Sequence, residues 1–147
     1  MAHVISATTQ ATKRASRTSG VAKQQHFLRQ ARMLIEQARE YAADGRLEEA
    51  LEVAYQAGLR TAGARIAVSV VARRKRKPSS AWEQLALVSV EGKEWAQEFG
   101  RYSKLRSRVS LGLEDTVDAE TVFELMGLAA RFMAATHAAA VESDFAA

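Results

Sequence analysis

The sequence contains no cysteine. Disulfides, thiol nucleophiles and thiolate zinc sites are thereby excluded, and nothing points to an oxidising compartment. Proline occurs once, at Pro78, so few helices meet an enforced stop. No run of about eighteen or more apolar residues is present, and the opening "MAHVISATTQATKRASRTSG" lacks a continuous hydrophobic region. Neither a membrane span nor a secretory signal is expected, and the chain reads as cytoplasmic with no membrane partner. Histidine is confined to His3, His26 and His137. No H-E-x-x-H, EF-hand, Walker A or G-x-G-x-x-G pattern occurs, so no metal or cofactor is expected. The carboxylate pairs Glu48-Glu49 and Glu114-Asp115 fall at a helix start and in a loop, where solvated capping charge accounts for them.

What is present fits one globular domain: 147 residues, close to half of them hydrophobic, with alanine prominent. The net charge of +4 conceals an uneven layout. Residues 1–108 hold twenty bases against ten acids, whereas residues 109–147 hold Arg131 against seven acids. A basic body before an acidic last quarter suits attraction to a polyanion, or pairing between opposite surfaces.

Residues 1–22 are rich in Ala, Thr, Ser and Arg without an apolar period and read as a disordered basic tail. Residues 23–147 read as the folded domain. Phe27, Ala31, Leu34, Ile35, Ala38, Tyr41 and Ala42 recur at helical spacing up to the turn Asp44-Gly45. A second helix carries Leu47, Ala50, Leu51, Ala54, Gly58, Ala62, Ile66 and Ser69/Val70 toward a basic run, and its small residues allow close helix approach. Pro78 stops it, and Ser80 with Glu83 has capping-box spacing. A third helix extends from Trp82 through Leu85, Val88, Trp95, Phe99 and Tyr102 to about Arg106. After a connector, Asp118 caps a fourth, with Val122, Met126, Ala129, Met133, His137 and Val141 inward. The fold class is all-α, an up-and-down bundle of four main helices. "GRLEEALEVAYQAG" looks like part of a tetratricopeptide repeat, but no second copy follows.

The stretch "QQHFLRQARMLIEQAREYAADGRLEEALEVAYQAGLRTAGARIAV", followed by "AWEQL" and a long helix, resembles the HEPN superfamily (higher eukaryote and prokaryote nucleotide-binding), in particular its small stand-alone branch of high-GC bacteria. The resemblance spans roughly residues 23–141 and rests on the Gly-Arg turn, the "EEAL" helix start and the alanine-rich second helix. It implies a helical bundle, often a homodimer, whose relatives cleave or bind RNA. The nuclease signature is an Arg followed four to six residues later by a His. Arg131 and His137 meet the bare spacing, but Phe132 stands where a polar residue is expected, and six helical steps leave the two about 120° apart. His137, four residues from both Met133 and Val141, reads as a packed core histidine.

Two basic clusters are the stronger binding candidates. In "GRYSKLRSRVS", Arg101, Lys104 and Arg108 share one helix face, while Arg106 points toward the apolar stripe and requires an acidic partner, a dimer cleft or a ligand phosphate. This segment aligns with the family's functional Arg, yet no His follows it, so binding is expected without hydrolysis. Cations suited to a helix C-terminus are the plainer account. The second cluster, Arg73-Arg74-Lys75-Arg76-Lys77, reads as the last turn of the second helix. The macrodipole accounts for one or two of these residues, and a hook for phosphates accounts for five. No aromatic is interleaved, so contact would be to backbone rather than bases. RNA or another polyanion is the expected partner. A metal-independent ribonuclease or toxin using Arg106 or Arg108 with His137, and a protein-interaction module, are the alternatives. The small-residue stripe and the aromatics Trp82, Trp95, Phe99 and Tyr102 predict a homodimer.

Overall fold

The computed structural model describes residues 2–113 and 116–146, with side chains described for 17–113 and 116–145. Five α-helices follow one another: α1 (Ala2–Ala43), α2 (Leu47–Ala67), α3 (Ala81–Val88), α4 (Val90–Ser110) and α5 (Ala119–Ala146), with a 3-10 turn at Val70–Arg73. No strand occurs among the described residues. Four helices are long, as the periodicity predicts; α3 is the short addition.

The α1–α2 hairpin turns at Gly45, whose φ of 75° suits a residue without Cβ. Arg46 N there donates to Tyr41 O at 2.9 Å. The buried line on α1 is Gly20, Gln24, Leu28, Ala31, Ile35 and Ala38, so packing begins ahead of the boundary expected at residue 22. A Cβ on Gly20 would stand 2.7 Å from the Ala67 carbonyl oxygen. Gln24 Nε2 donates to Ala64 O at 3.3 Å, which satisfies its buried amide. The side chains of residues 1–16, where the remainder of the expected tail falls, lie outside the described ones.

Helix α2 is the hub, contacting α1, α3, α4 and α5. Its small residues receive larger ones from its neighbours: the Phe99 ring of α4 occupies the space a Cβ on Gly58 would need. Phe99 stacks on Trp82 at 4.7 Å and meets Phe132 at 5.5 Å, while Trp95 stacks on Phe132 at 4.8 Å. Phe99 and Phe132 are fully buried, and burial of each contributes about 1.5–3 kcal/mol. Of the aromatics expected on a dimer face, Phe99 is therefore buried within the chain, whereas Trp82, Trp95 and Tyr102 stay half-buried.

The single third helix expected from Trp82 to Arg106 is broken at Ser89, which adopts an extended conformation (φ −166°, ψ 167°). Ser89 Oγ accepts from Gly92 N at 2.9 Å and caps α4. Gly92 makes the sharp junction feasible, because a Cβ there would collide with the Leu85 carbonyl. The caps at Ser80 and Asp118 are as expected: Ser80 Oγ accepts from Glu83 N at 3.4 Å, and Asp118 Oδ1 accepts from Glu120 N at 3.4 Å. Glu48 and Glu49 lie in the first turn of α2; Glu114 and Asp115 lie outside the described residues.

Candidate nucleic-acid interface

The basic run is not the last turn of α2. That helix stops at Ala67, where the Ser69 hydroxyl and backbone N–H both donate to Ile66 O, at 2.8 and 3.0 Å. Val70–Arg73 then forms the 3-10 turn, anchored by buried Val71. Arg73 ends this turn, and Arg74 to Lys77 continue as an irregular loop. The macrodipole acts within the last helical turn and cannot account for them. At the far end, Pro78 O accepts from Gln84 Nε2 at 2.7 Å. Five exposed cations are thus presented on a segment pinned at both ends. Lys77 Nζ donates to Ala72 O at 3.2 Å. Among the described residues none of the five forms an ion pair.

The second cluster divides. Arg101, Lys104 and Arg108 are exposed along α4. Arg101 approaches Glu98 at 3.7 Å, and Lys104 and Arg108 border a shallow hollow of about 370 Å³. Arg106 turns inward to an acidic partner, one of the three options its position requires. Its Nε and Nη2 each donate to a Glu52 carboxylate oxygen at 2.8 Å, and its guanidinium lies 5.1 Å from the Tyr55 ring centre. The Arg106 hydrogen bonds hold the Glu52 carboxyl below its usual range against a smaller opposing effect of burial, and Glu52 raises the guanidinium in turn. Tyr55 extends the tie: its hydroxyl accepts from Trp82 Nε1 at 2.8 Å and bonds Ser103 Oγ at 3.0 Å.

His137 is exposed, not packed. The inward line of α5 is Val122, Leu125, Ala129, Phe132 and Thr136, which places His137 one residue beyond it, about 100° around the helix. Val141 is likewise exposed. Arg131 is exposed and lies back on its own helix, where a Cβ on Gly127 would stand 3.2 Å from Nη1. Phe132 between them is fully buried. No group of three or more potential metal-ligating side chains exists among the described residues, and no described helix is long and apolar enough to cross a membrane.

Compared with known protein families, residues 42–137 match the SAV_6107-like HEPN family, well over half of the chain. The chain belongs to the HEPN superfamily. Neither the curated proteins nor the solved structures gave a match.

The HEPN match takes in the basic loop, the Glu52–Arg106 tie and the Arg131/His137 pair, but not α1 before residue 42 or the end of α5. A further feature, which apolar spacing does not register, straddles the limits of that match. A cavity of about 740 Å³ opens between α1, the end of α2, the 3-10 turn, α3 and α5. Arg65 forms part of its wall, with Nε donating to Thr136 Oγ1 at 2.7 Å and Nη2 to Glu91 Oε1 at 3.2 Å. Its guanidinium stands 5.2 Å from the Phe132 ring centre. The Arg65 hydrogen bond, with one from Trp95, lowers the Glu91 carboxyl. A single Arg between Ala64 and Ile66 in a helix end otherwise packed apolar is the only trace of this arrangement in the sequence.

Proposed function

We propose that this HEPN domain binds RNA or another polyanion through the Arg73–Lys77 loop, without strong sequence preference and without catalysis, in the cytoplasm. The supporting observation is the placement of five exposed cations outside any α-helix, with no acid paired to them among the described residues. Each phosphate neutralised releases counterions, so affinity falls steeply with salt. Arg101, Lys104 and Arg108 offer a second exposed basic patch for phosphates, on α4, whereas Arg106 is engaged by Glu52. The test is binding of bulk RNA by the full chain across a salt series. Affinity that stays flat between about 50 and 200 mM salt refutes the reading. Replacement of Arg74, Lys75, Arg76 and Lys77 by Ser should flatten the salt slope while helical content is unchanged. A homodimer belongs to the same proposal, and a monomeric mass by light scattering at micromolar concentration refutes it.

A metal-independent ribonuclease using Arg106 or Arg108 with His137 is the second reading, favoured by one observation: His137 reaches solvent, as do Arg108 and Arg131, whereas Arg106 is held by Glu52. RNA cleavage that disappears in His137→Ala and in Arg108→Ala, Arg106→Ala or Arg131→Ala, with unchanged melting, would establish it in place of binding alone.

A further inference from the structure

We propose that the cavity between α1, α2, α3 and α5 is a binding site for a single-chain aliphatic anion, a carboxylate or phosphate head on an unbranched alkyl tail. Three observations converge on that chemistry. Its volume of about 740 Å³ lies within the range of small-molecule sites. Its apolar wall is aliphatic throughout, with Val21, Val68, Val88 and Ala139 drawn from four separate segments and no aromatic side chain in the lining. That wall suits an alkyl chain and offers no stacking surface for a nucleobase.

The rim supplies the sign of charge. Arg17 and Arg73 are exposed on the cavity and form no ion pair among the described residues. Asp144 stands on the same rim, leaving one positive charge in excess. Arg65 does not compete for this role, because Glu91 offsets its charge and Thr136 fixes its direction. A carboxylate or phosphate at the mouth would accept paired hydrogen bonds from a rim guanidinium while the tail covers the valines. Arg17, Val21 and Ala139 lie outside the family match, so this site is built where the shared portion of the chain ends.

The test is calorimetric titration of the full chain, below micelle formation, with decanoate, decyl phosphate, decyltrimethylammonium and adenosine monophosphate. Saturable one-to-one binding of decanoate or decyl phosphate is expected, and the stronger of the two identifies the head group. The ammonium should not bind. Ala139→Trp, placed at an exposed cavity residue, should weaken decanoate by at least about tenfold with unchanged melting. If that variant folds poorly, Val68→Trp, also at an exposed position, supplies the same reading. Arg17→Ser combined with Arg73→Ser should weaken it by about tenfold. Equal binding of the ammonium, tighter binding of adenosine monophosphate, the absence of saturable heat, or indifference to both tryptophan variants each overturns the proposal. Replacement of Lys75, Arg76 and Lys77 separates it from polyanion binding: RNA affinity should fall and decanoate affinity should not.

Discussion

Removing the Arg106 guanidinium should destabilise the bundle without touching nucleic-acid affinity. The side chains of Arg106 and Glu52 retain 35% and 33% of their accessible surface, so the pair is neither buried nor free. Breaking a buried pair costs about 3–5 kcal/mol, and an exposed pair contributes about 0–1 kcal/mol. Two hydrogen bonds of 2.8 Å with fork geometry favour the upper part of the intermediate range, while solvent screening at this exposure discounts it. A coupling of about 1–2 kcal/mol follows. Loss of the ring contact with Tyr55 adds about 0.5–1 kcal/mol to Arg106→Ala, a contribution the Glu52 change does not share. Urea unfolding of Glu52→Gln, Arg106→Ala and the double variant closes a cycle that isolates the pairwise part. A coupling below about 0.3 kcal/mol refutes the structural role. So does a salt slope for RNA binding that drops by about one in Arg106→Ala, which would make Arg106 a phosphate contact.

Gly58→Ala gains up to about 1 kcal/mol of helix propensity, but its Cβ would enter the Phe99 ring, which Trp82 and Phe132 flank; overpacking of about 1–3 kcal/mol wins, and a raised melting midpoint would contradict this. His137→Ala should change unfolding free energy by no more than about 0.5 kcal/mol, because the ring is exposed; a loss above about 1 kcal/mol would restore a packing role. The folded-state carboxyls of Glu52 and Glu91 are lowered by Arg106 and Arg65. Their stabilisation is full above the ordinary glutamate range near about pH 4.3 and is lost as pH falls through the lower folded values. The penalty of Glu52→Gln should therefore shrink between about pH 6 and pH 3, and a pH-independent penalty would refute the assignment.

The helical class, the Asp44-Gly45 turn and the caps at Ser80 and Asp118 were legible because each depends on local chemistry. The need of Arg106 for an acidic partner was also legible, since a charge directed at an apolar stripe must be compensated; Glu52 as that partner was not, being a contact across 54 positions. The helix limits were lost where apolar spacing runs through a break. Leu85, Val88, Gly92 and Trp95 keep helical period across Ser89, and Ser69/Val70 prolong the α2 pattern past its end at Ala67, where the Ser69 hydroxyl donates to Ile66 O. Gly20 and Gln24 escaped because neither is apolar, although both extend the Leu28 stripe by fours. His137 was misplaced by its spacing from Met133 and Val141, whereas the buried line follows Phe132 and Thr136 one step away.

Besides the Arg74 backbone N–H, which closes the 3-10 turn on Val71 O, the loop from Arg74 to Lys77 gives the fold one side-chain hydrogen bond, from the Lys77 ammonium to Ala72 O. Its charge can consequently drift from one related chain to another with almost no effect on folding. Selection could strengthen, weaken or reverse attraction to a polyanion by single codon changes here, leaving the bundle that carries the loop untouched.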